Sequence, residues 1–250
     1  MHGNPGCSED WHGLISQASK VTRCIAPDMP GFGKADKKPD FDYNVEGYAN
    51  HLDAFLKARN VETADLVLHD FGGPWGLAWA VGNVERVKSI TLFNIGIMRG
   101  YRWHYAARIW RTPLLGEFSM LTTTRWGFQK LMEVGNPRGL PQAFVDRMYG
   151  DFDSGTKRAV LRLYRATDNI DEMASAAQEL FPPKDIPNLV VWGKADPYVP
   201  WKFAAQQRDY FPSAEIHYLD DSGHWPFVDN EPACSALFLP FLERVTATDP

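Results

Sequence analysis

The sequence predicts an α/β protein, a mostly parallel sheet flanked by helices with a block of helices inserted between two strands. Three observations predict it. Short apolar runs alternate with helical patterns over both ends of the 250-residue chain, as in a parallel sheet covered on both faces. The alternation lapses between about Ile95 and Asp185, where the chain reads as helical. One apolar run, Ala64 to Leu68, leads through His69 into Asp70, then Gly72-Gly73-Pro74 and a helical segment. That strand-turn-helix pattern exposes one side chain at the end of a strand.

In chain order, Cys24 to Pro27 reads as the first buried strand and Val45 to Arg59 as a helix. Ala64 to His69 is the next strand, Trp75 to Val81 a helix, and Ser89 to Asn94 a third strand. Strand-like runs resume only at Asn188 to Gly193 and Glu215 to Asp220. The stretch between is rich in Arg, Trp, Tyr and Met. It is broken at Pro113, at Gly135-Asn136-Pro137 and over Gly150 to Gly155, and Pro182-Pro183 marks its exit. The expected organisation is a core of residues 1–95 and 186–250 and a helical cap of residues 96–185.

A formal net charge of −5 gives no broad attraction to nucleic acid or anionic membrane. No apolar stretch is long enough to span a bilayer, and the polar N-terminus lacks a signal-peptide pattern. Cys7, Cys24 and Cys234 have no metal spacing and cannot all pair, which suits a reducing compartment. The expectation is a cytoplasmic protein without metal or cofactor.

Asp70 is the candidate nucleophile. A carboxylate suits attack on a saturated carbon, and the unpaired N–H groups of the following helix favour its ionised form. His224, in Asp221-Ser222-Gly223-His224-Trp225 after a strand, is the candidate base that activates water. Asp196, in Trp192-Gly193-Lys194-Ala195-Asp196-Pro197, is the candidate acid that orients it. The competing acid position, the end of the Ser89 run, holds Asn94. The turn His2-Gly3-Asn4-Pro5-Gly6 can aim donors at a developing negative charge, with Asn4 and the Phe71 N–H as candidates. His69 reads as a packed neighbour, and Asp28-Met29-Pro30-Gly31-Phe32-Gly33 as a structural turn. No GxSxG motif occurs, which disfavours a serine esterase.

On these residues the chain resembles the α/β-hydrolase superfamily, in its haloalkane dehalogenase and epoxide hydrolase branch. The resemblance runs from His2 to about Leu242. It is densest over Arg23-Cys24-Ile25-Ala26-Pro27-Asp28, Gly31-Phe32-Gly33-Lys34, Leu52-Asp53-Ala54-Phe55 and the Asp70 turn. It implies an alkyl ester on Asp70, hydrolysed by water that His224 activates with Asp196 as partner, while Asn4 and Phe71 hold the oxyanion or leaving group. The expected substrate is a small apolar organic molecule, with water as second reactant. His-Gly-Asn-Pro and Leu68 resemble dehalogenases. Phe71 departs from them, because its side chain has no N–H to offer a halide, so Trp103 or Trp110 would have to supply one. Leu163-Tyr164-Arg165 resembles the cap-tyrosine motif of epoxide hydrolases, with Tyr101 and Tyr105 as candidate partners. The resemblance also leads one to expect strands before the His-Gly turn, and this chain starts at that turn. The expectation is that the natural chain begins earlier. A truncated, non-catalytic ligand-binding homologue is the alternative of another class.

Overall fold

The computed structural model describes residues 1–167 and 170–247. Four parallel strands form one sheet in the order β1 (Ala64–His69), β2 (Val87–Phe93), β3 (Asn188–Gly193) and β4 (Glu215–Leu219). Leu68 stands opposite Leu92, Leu92 opposite Val190 and Val191 opposite His217. The side chains alternate between two cores. Leu66, Leu68, Ile90, Leu92, Val190 and Trp192 join one with Leu77 and Phe181, whereas Phe93, Leu189 and Val191 join the other with Trp11, Trp75 and Phe238. Burial on both faces explains why these strands read as continuous apolar runs.

Helices α1 (His12–Ala18) and α2 (Val45–Ala58) precede the sheet, and α3 (Gly72–Gly82) joins β1 to β2. The Asn44 side chain caps α2 by accepting the Gly47 N–H at 2.7 Å. Tyr48, Leu52 and Leu56, one helical face of α2, are buried. α3 is buried almost all round, and a Cβ at Gly76 would lie 2.5 Å from Leu68, so glycine lets this helix lie close on the sheet. Between β2 and β3 stand α4 (Tyr105–Arg111), α5 (Leu115–Thr122), α6 (Arg125–Gly135), α7 (Gln142–Asp151), α8 (Ser154–Ala166) and α9 (Ile170–Leu180). Two further helices, α10 (Pro226–Asp229) and α11 (Glu231–Ala247), close the described chain. Among the described residues no helix is long and apolar enough to cross a membrane.

Two expectations need correction. The break foreseen from Gly150 narrows to Phe152-Asp153, because α7 runs through Gly150 and Asp153 caps α8 by accepting the Gly155 and Thr156 N–H groups at 2.8 and 2.9 Å. The cap, rather than the glycine, sets the boundary. The second is larger: residues 24–27 form no strand. A groove of about 480 Å³, lined among others by Cys24, Ala26, Leu52, Leu66 and Phe238, lies between that segment and β1. Across it, Met1 pairs with the end of β1: its nitrogen donates to the Val67 carbonyl, and its own carbonyl accepts the His69 N–H at 3.2 Å. A strand exists through its ladder of partners, and 24–27 lie across a groove from the nearest one.

Candidate active site

Asp70 follows β1 directly and sits at φ +48°, in the left-handed region. Such a conformation costs on the order of 1–3 kcal/mol for a residue other than glycine and persists only where the surroundings impose it. Here α3 imposes it from one side, with the Gly73 N–H donating to the Asp70 carbonyl at 2.8 Å. The His2–Gly6 turn imposes it from the other, since a Cβ at Gly3 would come within 2.3 Å of the Asp70 side chain. Gly3→Ala is therefore expected to displace Asp70 or the turn. The predicted cost is about 1–3 kcal/mol of stability, read by denaturant unfolding, together with loss of activity.

The Asp70 carboxylate has two partners. Its Oδ1 accepts the Asn4 backbone N–H at 2.6 Å, and its Oδ2 lies 3.5 Å from His224 Nε2. On the far side of the imidazole, His224 Nδ1 meets Asp196 Oδ2 at 2.7 Å. Asp196 Oδ1 accepts the N–H groups of Tyr198 and Val199 at 2.7 and 3.0 Å, and the Asn94 side-chain amide donates to Oδ2 at 2.8 Å. The three residues predicted at strand ends are thus one connected, buried line. Each follows a parallel strand at the same end of the sheet, and parallel order brings those ends together.

Charge is shared along that line. Burial pushes the Asp70 carboxyl up, but the hydrogen bond and charge of His224, with His69 and the Asn4 N–H, outweigh it and hold the pKa at about 2. Burial also disfavours a proton on His224, yet Asp196 and then Asp70 outweigh it and raise its pKa to about 10. The two shifts run in opposite directions and together favour a proton on His224 while Asp70 is ionised. Esterification of Asp70 would erase one of those charges, lower the imidazole's pKa and leave it closer to a base that can take a proton from water.

Two further residues stand in this hydrogen-bonded line: Asn94, which the sequence marked only as the competing, non-acidic position, and His69, which it read as a packed neighbour. Asn94, at φ +46° after β2, bonds Asp196 and also spans to the Gly193 and Gly223 carbonyls at 3.3 and 3.2 Å. It ties the acid loop to the histidine loop. His69 Nε2 lies 2.8 Å from the His224 carbonyl, which can only accept, so that nitrogen carries the proton. Burial, then the charge of His224, lowers the His69 pKa to about 3 and keeps it neutral. The signal for both was a polar side chain in an apolar strand end, which does not by itself name a partner.

The inserted helices close the site with aromatic rings. Tyr164 of α8 packs edge-on against Phe71 at 4.9 Å between centroids, with Trp103 at 5.4 Å and Trp110 at 5.0 Å. The Asn4 side-chain amide donates to the Tyr164 hydroxyl at 3.4 Å. Burial, and the nearby charge of Asp70, push the Tyr164 hydroxyl well above its ordinary pKa, so it keeps its proton. Phe71 is buried, and its N–H makes no backbone hydrogen bond among the described residues. Neither candidate partner for Tyr164 stands beside it as a donor. Tyr101 donates its hydroxyl to the Tyr198 carbonyl at 3.0 Å, and Tyr105 is 48% exposed. No cluster of metal-ligating side chains occurs among the described residues.

A sheet of this order, a left-handed Asp70 between strand and helix, and an acid and histidine after later strands define a hydrolase of the α/β type. The chain belongs to the alpha/beta hydrolase fold family, whose model matches residues 1–231. It is similar to the cis-3-alkyl-4-alkyloxetan-2-one decarboxylase of Shewanella oneidensis, 28% identical over 92% of this chain and 76% of the relative. It is also similar to a haloalkane dehalogenase of Agrobacterium fabrum, 34% identical over 38% of this chain and 31% of the relative. The crystal structure of the haloalkane dehalogenase DatA from Agrobacterium tumefaciens superposes with a TM-score of 0.83 at 22% identity, covering 98% of this chain and 88% of that one. The chain is an α/β-fold hydrolase, and its fold is similar to that of the haloalkane dehalogenases.

Proposed function

We propose that the enzyme acts on a small apolar organic substrate at a saturated carbon, through an alkyl ester on Asp70, as haloalkane dehalogenases do. Residues 96–185 serve as a cap over a core of residues 1–95 and 186–250. The observation that carries the reading is the Asp70–His224–Asp196 line, with Asp70 held ionised and 3.5 Å from the histidine. Attack by Asp70 Oδ2 on carbon expels the halide. The leaving halide meets the Asn4 side-chain amide, the Phe71 N–H and the Tyr164 hydroxyl. Water, deprotonated by His224, then attacks the ester carbonyl at Asp70 and releases an alcohol. Asp196 stabilises the imidazolium formed in that step. Trp103 and Trp110 stand beside the site through their ring contacts with Phe71 and Tyr164.

Tyr164 favours a second reading, opening of a strained ring by the same carboxylate. An epoxide oxygen leaves as an alkoxide and needs a proton, and Tyr164 holds one beside Asn4. The Shewanella relative is named for a four-membered oxetan-2-one ring, which supports including such rings among the substrates tried. Purified enzyme is to be incubated with bromoalkanes, alkyl epoxides and 3,4-dialkyl oxetan-2-ones, scoring halide, diol and alkene. Halide release is the expected result. Diol or alkene without halide would move the assignment to ring opening, and no product from any of them would refute the reaction at saturated carbon. Tyr164→Phe is expected to cut epoxide opening by about 10²-fold or more, the scale of a lost general acid, while slowing halide release less, because Asn4 and the Phe71 N–H remain.

A further inference from the structure

Asp10 is a carboxylate whose side chain is wholly enclosed outside the Asp70–His224–Asp196 line, and the cation that meets it comes from the inserted helices. Arg147 of α7 donates through Nη2 to Asp10 Oδ1 at 2.6 Å and through Nη1 to Cys7 Sγ at 2.7 Å, while its guanidinium lies 4.9 Å over the Phe144 ring. Asp10 Oδ2 accepts the Cys7 N–H at 3.2 Å. A Cβ at Gly6 would come within 2.5 Å of that same oxygen, so the carboxylate is pressed against the end of the His2–Gly6 turn. Asn4, within the turn, donates its N–H to Asp70. A continuous series of contacts therefore runs from α7 to the candidate nucleophile.

We propose that Arg147 is a positioning residue for Asp70: with Asp10 it fixes the turn that carries Asn4, so that a helix of the insertion sets the donor geometry around the nucleophile. The inference rests on the reading of Asp70 as nucleophile. A buried ion pair is a poor source of stability, because desolvation offsets its attraction. What the planar guanidinium provides is direction, two donors fixed in one plane. The turn needs that direction, since Gly3 and Gly6 give it little side chain of its own to hold it.

The arrangement has a pH signature. Burial lifts the Asp10 carboxyl to about 7, against the charge and hydrogen bond of Arg147 and the Cys7 N–H. The other charged or titratable groups around it are Asp151 and Glu9, which also face Arg147, the Cys7 thiol and the Met1 amine. Below about pH 7 Asp10 takes up a proton, the Arg147 contact loses its charge partner and the turn loosens. A limb near pH 7 in ester formation that Asp10→Asn removes belongs to Asp10; one that it leaves belongs to another group, such as Asp229 beside the Gly223 N–H, raised to about 6, or Asp70 once His224 no longer holds it down.

The test times ester formation from 1-bromobutane in a single turnover, in a His224→Gln background. It also follows the Asn4 amide by ¹⁵N-resolved NMR in the substrate-free protein. Arg147→Met is expected to slow ester formation roughly tenfold or more, as misplacement of a reacting group does, and to move the Asn4 amide proton upfield as its bond to Asp70 lengthens. Asp10→Asn is expected to remove the pH limb, and Arg147→Lys to restore the rate only in part. Arg125→Met, which deletes an exposed pair with Asp146 on the same block of helices, is expected to change neither readout. A folded Arg147→Met with an unchanged Asn4 amide and unchanged ester rate overturns the proposal. If Arg147→Met does not fold, Asp10→Asn is judged by the same two readouts. Should no ester form even in His224→Gln alone, the catalytic reading fails, and the Asn4 amide still decides whether Arg147 positions the turn.

Discussion

His224→Gln is expected to stop the reaction at the alkyl ester, so that intact-protein mass spectrometry shows one substrate-derived alkyl group on Asp70. The expectation follows from the separation of roles along the buried line. In the proposed reaction Asp70 carries the first step, and its carboxyl is held at about 2 by His224, His69 and the Asn4 N–H. Glutamine retains a donor toward Asp70 and so preserves part of that environment. It cannot take a proton from water, which removes the second step. Steady-state turnover is expected to fall by about 10³–10⁴-fold, the upper range for a general base, while the first turnover persists. Peptide mapping locates the group. An adduct on another residue, or none with any substrate that the unaltered enzyme consumes, would rule out a covalent Asp70 mechanism.

Asp70→Asn is expected to abolish both steps, with a loss of order 10⁶-fold, the scale seen when a nucleophile is removed from a triad. It also has a consequence that needs no substrate. Asp70 is one of the two carboxylates that raise His224 to about 10, so the substitution lowers that pKa and leaves Asp196 as the remaining partner. The sign for stability follows. A histidine raised above its ordinary 6.5 contributes stability that is complete below that value and is lost as pH rises through about 10. With Asp70→Asn the loss still starts above 6.5, but it is smaller and ends at lower pH. Imidazole titration by NMR, and melting temperature between pH 7 and 10, measure the two effects. A His224 pKa unchanged by Asp70→Asn would mean that the two side chains are not coupled as the 3.5 Å separation requires.

Much of the candidate site could be read from the sequence, because its members carry local signals. Asp70, Asp196 and His224 each follow a strand-like run, with glycine or proline within two positions to make the turn. Asn4 was legible from its glycine-rich turn. The bonds among them were not. His69 and His224 are separated by 155 positions, Asn94 and Asp196 by 102, and Asp10 and Arg147 by 137. No spacing rule links such pairs. Tyr101 read as a partner for Tyr164 because tyrosines near one another in the inserted stretch look equivalent; its hydroxyl is taken instead by the Tyr198 carbonyl.

The strand mistaken at Cys24 to Pro27 has the same origin. Its apolar pattern resembles that of a buried strand, but residues 24–27 are only half-buried, and pattern alone cannot supply a hydrogen-bonding neighbour. The sequence by itself determined the parallel α/β order, the insertion of helices between β2 and β3, and the chemistry open to Asp70, because periodicity, turn residues and functional groups are local properties. The tertiary structure alone decided which polar groups meet and how charge is shared between Asp70, His224 and Asp196. Those depend on distances across the fold, and in a buried site a few ångströms decide whether a charge is paired or bare.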